Sequence, residues 1–142
     1  MKTPKMEPGK KPRVEQQLME NDLQSYSPTV LAYIGDAVFE LLVRTRLAKN
    51  RHQRINTLHN MTVSYVNAEN QARIVRDIYG YLTEEEKDLI RRGRNTKGAG
   101  PKNADPGAYR LSTGFEALLG YLYLKGDEER LYELVEKAIL LK

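Results

Sequence analysis

The sequence has no cysteine, only two histidines, and no apolar run of membrane-spanning length. Without cysteine there are no disulfides, thiolate nucleophiles, Cys-ligated zinc sites or iron–sulfur clusters. The two histidines, His52 and His59, cannot build a three-histidine catalytic zinc site within one chain. Any catalytic metal is therefore a hard cation held by oxygen, of the magnesium or manganese kind. The apolar stretches at 38–43 and 117–124 fall far short of the roughly 20 residues a transmembrane helix needs. The first thirteen residues, MKTPKMEPGKKPR, begin with positive charge but have no apolar segment and no small-residue cleavage site. No export signal and no membrane partner are expected, and the expected compartment is the cytoplasm.

What is present suits one compact domain: 142 residues, 40% apolar and 30% charged. The net charge of +4 is concentrated in residues 1–13, and the rest of the chain sums to zero. Within that neutral body, residues 91–103 carry Arg91, Arg92, Arg94, Lys97 and Lys102 and no acid. Such a segment is the electrostatic footprint of a phosphate-rich partner, although a charge run also serves as an ordinary solvated surface.

Residues 1–24 are rich in Lys, Pro, Glu and Gln and read as a basic, mobile tail, with the domain proper over 25–142. Ser27-Pro28 supplies an N-cap and a proline for the first helical position, predicting a helix to about Ala48 with Leu31, Ile34, Val38, Leu41 and Leu42 on its apolar face. A second periodic segment predicts one helix from about Asn56 to Tyr79, with Leu58, Met61, Val66, Ala72, Val75 and Ile78 along one side and Gly80 at its end. Thr83 followed by Glu86 is a capping box for a third helix, whose three leading glutamates complement the helix dipole. Residues 93–107, with four Gly, two Pro and two Asn, predict a loop long enough to suggest a functional role. Its Gly98-Ala99-Gly100 is not a P-loop, since no Gly-Lys-Ser/Thr follows. A fourth helix is expected from about Tyr109 and a fifth from an Asp127 N-cap to the C-terminus. No segment alternates with period two, so the predicted fold is all-α, five or six helices, with no repeat and no second domain.

Two carboxylates interrupt apolar helices: Asp36 in YIGDAVF and Glu116 in GFEALLGYLYL. A lone buried carboxylate is costly, so each calls for a partner or a cation. Both are flanked by small residues, Gly35 and Ala37 in one helix, Gly114, Ala117 and Gly120 in the other. Helix-interior glycine costs about 0.5–1 kcal/mol relative to alanine, which close helix crossing would justify. A crossing there would put Asp36 and Glu116 in reach of one metal ion. On pattern alone the acids could equally lie at the edge of a buried stripe. Glu40, one turn beyond Asp36, reads either as a further metal ligand or as the partner of Arg44. His52 and His59 read as surface residues, and Tyr121, Tyr123 and Tyr132 as packing residues.

LAYIGDAVFELLV (31–43) resembles the signature helix of the ribonuclease III family, and FEALLGYLYL (115–124) resembles its second acidic helix. The two stand in the family's order with RRGRNTK between them, and PKNADPGAYRLSTGFEALLGYLYL points to the Mini-III branch, which lacks the double-stranded-RNA-binding domain. The resemblance covers roughly 27–141. It implies a helical nuclease domain, Mg²⁺ dependence with Mn²⁺ able to substitute, and a homodimer that cuts double-stranded RNA. It further implies processing of the large-subunit (23S) ribosomal RNA precursor, with a ribosomal protein as a candidate helper. By this resemblance Asp36 and Glu116 are catalytic metal ligands, and Tyr33 occupies an aromatic dimer-contact position. Two family carboxylates are missing, because Ala32 stands four residues before Asp36 and Thr113 three before Glu116. Glu40, waters or substrate phosphate would complete the metal's coordination, so weak metal binding without RNA is expected.

Hydrolysis of a phosphodiester with bound Mg²⁺ needs neither histidine nor cysteine. Arg91, Arg92, Arg94, Asn95, Thr96, Lys97 and Lys102 supply charge and donors for an RNA backbone. The competing reading is a non-catalytic RNA-binding or ribosome-assembly protein that keeps the fold. A helical protein–protein adaptor would explain the helices but leave the basic segment without a role.

Overall fold

The computed structural model describes residues 23–96 and 100–140. Among them are six α-helices, two short 3₁₀ turns and no strand. The expected tail over 1–24 lies almost wholly outside the described residues. Helix α1 spans Pro28–Ala48, with the Ser27 hydroxyl accepting from Val30 N and Pro28 at the first position, as the Ser-Pro pair predicts.

The next segment departs from expectation, since it is two helices rather than one: α2 over Ile55–Val66 and α3 over Ala68–Ile78. The break is at Asn67, whose extended backbone ends α2 while its side chain accepts from Asn70 N and caps α3. An asparagine that can cap competes with helix continuation, and apolar periodicity does not register that competition.

Thr83 and Glu86 form the full capping box of α4, Glu84–Arg94. That helix runs into the segment read as loop, so Arg91, Arg92 and Arg94 are its last turn. Helix α5, Pro106–Lys125, begins three residues earlier than expected because Asp105 and Pro106 repeat the cap-then-proline signal of α1. It ends at Gly126, whose φ of 84° is the left-handed conformation that glycine adopts without strain. Helix α6 spans Glu128–Leu140, with Asp127 Oδ1 accepting from Arg130 N.

Helix α5 is the axis of the domain: α1, α3, α4 and α6 all pack on it. Phe115, Ala117, Leu118 and Leu119 are fully enclosed, and the Phe115 ring meets Phe39 of α1 edge to face at 5.3 Å between centroids. Of the five residues expected on the inner face of α1, Leu31 and Val38 are buried and Ile34 and Leu42 partly so. Leu41 points outward at 63% exposure.

Two helix crossings depend on glycine. A Cβ on Gly35 would overlap the Glu116 carbonyl, and one on Gly120 would overlap that of Leu31, so α1 and α5 touch backbone to backbone. Gly114, expected at the same crossing, serves a different one: it lies against Gly93 and Ile90 of α4. Helices α4 and α6 are joined by Arg130, whose Nε and Nη2 each donate to Glu86 at 2.7 Å. Tyr121 hydroxyl donates to Glu85 at 2.7 Å, tying α5 to the start of α4.

Candidate active site

The α1–α5 crossing decides where the two acids lie. Gly35 seats against the Glu116 backbone, so the neighbouring Asp36 faces the Glu116 carboxyl within hydrogen-bonding range. Asp36 is on the exposed rim of the pair and Glu116 is the deeper, partly buried member. Burial, followed by the charge of Asp36 and a hydrogen bond with it, pushes the Glu116 carboxyl up from 4.5 to about 8. A hydrogen bond from Gln71 opposes this rise.

Gln71, on α3, is the member of the site that composition and spacing did not single out. It is 98% enclosed, being 2% exposed, and its Nε2 donates to Val66 O at 2.7 Å and toward Glu116 Oε2 at 3.4 Å. Its Oε1 has no hydrogen-bond partner among the described residues. A signal was available: Gln71 shares the buried stripe of α3 with Ile74, Val75 and Ile78, where an uncharged polar residue needs a reason.

The other expected positions fall as follows. Ala32 is buried, and the Thr113 hydroxyl donates to Tyr109 O at 3.0 Å, and neither position offers a carboxylate. Glu40 is 3.4 Å from Arg44, one turn on, the second of the two readings its position allows. No group of three or more His, Cys, Asp or Glu able to hold a metal occurs among the described residues. The donor set is thus two carboxylates, the deeper one approached by the Gln71 amide N–H. That set fits a hard divalent cation that keeps several waters and takes further oxygens from a phosphate. It does not fit a closed, all-protein cage. The raised Glu116 carboxyl fits the same reading, since two acids this close without a cation retain a proton.

Arg91, Arg92 and Arg94 project from the last turn of α4 and are exposed, with Arg91 held 3.0 Å from Asp88. Asn95 caps that helix, and the Thr96 hydroxyl donates to Gly93 O at 2.8 Å, so both help to end α4. Lys102 is exposed in the following turn, and Lys97 lies outside the described residues. His52 and His59 are exposed, and Tyr33 is 80% exposed on α1. No helix among the described residues is long and apolar enough to cross a membrane.

The acid pair thus lies at a glycine crossing of α1 and α5, and α4, whose last turn is basic, packs on α5 through its own glycine contact. Residues 29–127 match the model of the Ribonuclease III domain, and the chain belongs to the ribonuclease III family. Within it the chain groups with the proteins called Mini-ribonuclease 3. It is 51% identical to that of Thermoanaerobacter sp. (strain X514) over 123 residues, 86% of this chain and 87% of the relative. It is 53% identical to that of Symbiobacterium thermophilum over 112 residues, 78% and 86% of the two chains. The fold also matches the crystal structure of a Fusobacterium nucleatum protein with a TM-score of 0.75 and 32% identity, over 83% of this chain and 95% of the other. The protein is therefore an endoribonuclease of the ribonuclease III type.

Proposed function

We propose that the protein hydrolyses double-stranded RNA in a Mg²⁺-dependent reaction centred on Asp36 and Glu116, and that its natural substrate is the large-subunit ribosomal RNA precursor in the cytoplasm. The observation that carries this reading is the carboxyl pair itself, two acids held face to face by backbone contact between α1 and α5. Asp36 and Glu116 would hold the metal, and Mn²⁺ would serve in its place. What the cation supplies when bound is Lewis acidity toward a water and the scissile phosphate. Glu116 must lose its proton to serve as a ligand, so the site loads more readily as pH rises. Gln71 orients the Glu116 carboxylate by its amide N–H, and the exposed Asp36 faces the side from which a phosphate arrives. Arg92 and Arg94, with Arg91 and Lys102, track the RNA backbone, which is read through phosphates and 2′-hydroxyls with modest sequence selection.

A homodimer suits the surface. Val30, Tyr33, Ala37 and Leu41 form an exposed, largely apolar stripe at helical spacing along α1, and Ile55 and Val63 are exposed on α2, which packs beside it. A second copy would cover this face and supply a second acid pair for the opposite RNA strand.

The test is an end-labelled RNA duplex incubated with the protein and Mg²⁺, beside Asp36→Asn and an EDTA control. Discrete cuts by the unaltered protein alone, with duplex binding retained by Asp36→Asn, are the expected result. Binding without cleavage on every duplex offered, including a ribosomal RNA precursor stem, would overturn the hydrolytic assignment.

A further inference from the structure

A second feature lies beside the acid pair and is not used by it. Between α3 and α4 a cleft of about 350 Å³ opens to solvent. Its walls carry four cations, Arg76, Lys87, Arg91 and Arg94, and no acid. Lys87 and Arg91 are each shared with a carboxylate of their own helix, Glu84 at 3.4 Å and Asp88 at 3.0 Å. Arg76 and Arg94 have no carboxylate partner among the described residues. The floor is apolar: Val75 and Ile90 are buried and Leu111 is partly so, while Tyr79, 40% exposed, also lines the cleft with Lys87 Nζ 5.1 Å from its ring centroid. Leu111 is five residues before Glu116 on α5, and Val75 is four after Gln71 on α3. At 1.5 Å per residue the cleft is roughly 6–8 Å along both helices from the acid pair.

The mixture of surfaces restricts the occupant. A phosphate alone gains nothing from an apolar floor, and an apolar side chain gains nothing from unpaired arginines. A paired duplex offers its outer face as phosphate and ribose, with its bases stacked inside. An unpaired nucleotide carries both an anion and a flat apolar face that stacks on aromatic and aliphatic side chains. We propose that this cleft binds one unpaired nucleotide of an RNA strand, with its base against Val75, Ile90, Leu111 and Tyr79 and its phosphate between Arg76 and Arg94. This rests on the RNA-cleaving reading for its biological ligand, but the pocket is testable without cleavage.

The experiment uses the full chain and three probes, adenosine monophosphate, inorganic phosphate and adenosine, followed by amide chemical shifts in NMR titration. The monophosphate is expected to bind about tenfold more tightly than either fragment, a factor in keeping with one stacked base, with shifts confined to α3, α4 and the start of α5. Arg76→Glu, an exposed position, should abolish this binding while leaving the thermal midpoint unchanged. The same variant should weaken binding of a duplex with a single-stranded extension several-fold more than binding of a blunt duplex. Monophosphate binding no tighter than phosphate, shifts elsewhere on the surface, or equal losses for blunt and extended duplexes would each overturn the proposal. Failure of the unaltered protein to cut any duplex, with monophosphate binding intact, would count against the nuclease reading and leave this pocket standing.

Discussion

Glu116 makes the protein's stability depend on pH in a direction opposite to that of most carboxylates. Its carboxyl titrates near 8 in the folded, metal-free protein and near 4.5 in an unfolded chain. The unfolded state therefore releases its proton first, and stability that is full below about pH 4.5 is lost as pH rises through 8. Glu116→Gln should stabilise the metal-free protein at pH 9 by on the order of 2 kcal/mol and have little effect at pH 4, measured by urea unfolding. Mg²⁺ should protect the unaltered protein more at pH 9 than at pH 6, and should not protect the variant to the same extent. Gln71→Leu keeps the side-chain volume but removes the donor that lowers the Glu116 value. It should raise the Mg²⁺ needed for cleavage, more at pH 7 than at pH 9, in a metal titration of the rate. Among these residues the acids were legible because a charge inside an apolar helix breaks the binary pattern. Gln71 was not, because an uncharged amide breaks it only weakly. Glu40 stood open between two roles that depend on a rotamer, and a rotamer is not written in residue spacing.

Helix termini carried strong local signals. Ser27-Pro28 and the Thr83–Glu86 box mark their helices to the residue, and the start of α5 at Asp105-Pro106 is the same signal within a glycine-rich stretch that drew attention to itself as loop. The break at Asn67 was hidden because apolar periodicity runs through it and only the capping chemistry of one side chain interrupts it. The small residues near the acids correctly indicated a close crossing, but spacing could not assign Gly114 to α4 rather than α1. Gly35→Ala should be among the most damaging single-methyl changes, costing about 1–3 kcal/mol or more by overpacking and lowering the thermal midpoint. Gly80→Ala, where nothing lies within 4 Å of an added Cβ, is its control and should be neutral or slightly stabilising. Between α4 and α6, burial pushes the Glu86 carboxyl up, but the Arg130 hydrogen bonds and charge and the Thr83 contacts outweigh it and hold the group below 4.5. That contribution is present above pH 4.5 and is lost as pH falls below it. Arg130→Met leaves the buried Glu86 carboxylate without its cation, with the Thr83 N–H still donating to it, and should cost about 3 kcal/mol in chemical unfolding at pH 7.

At the scale of the molecule, two surfaces carry contrasting chemistry: an exposed apolar stripe on α1 and α2, and cations at the end of α4. If the stripe closes a dimer, Leu41→Glu should yield a species of one chain's mass in sedimentation, folded but poor at cutting both strands of a duplex. If the α4 end holds RNA, neutralising Arg92 should lower the slope of log affinity against log salt by roughly 0.7–0.9, read from binding at several salt concentrations. The cations were legible because they are contiguous in sequence, whereas the apolar face was not, since it joins residues of α1 and α2 and depends on how those two helices pack.

The contact of bare backbones at Gly35 and Gly120 has a consequence for how the protein can vary. The acids are spaced by main-chain atoms meeting main-chain atoms, so no side chain acts as a shim whose size sets the gap. Core residues elsewhere can be exchanged for others of similar volume while the backbone contact that spaces Asp36 and Glu116 is kept, whereas Asp36→Glu lengthens one arm by a methylene and moves its carboxyl away from that spacing. The stability of this domain and the spacing of its acids are thus open to change separately.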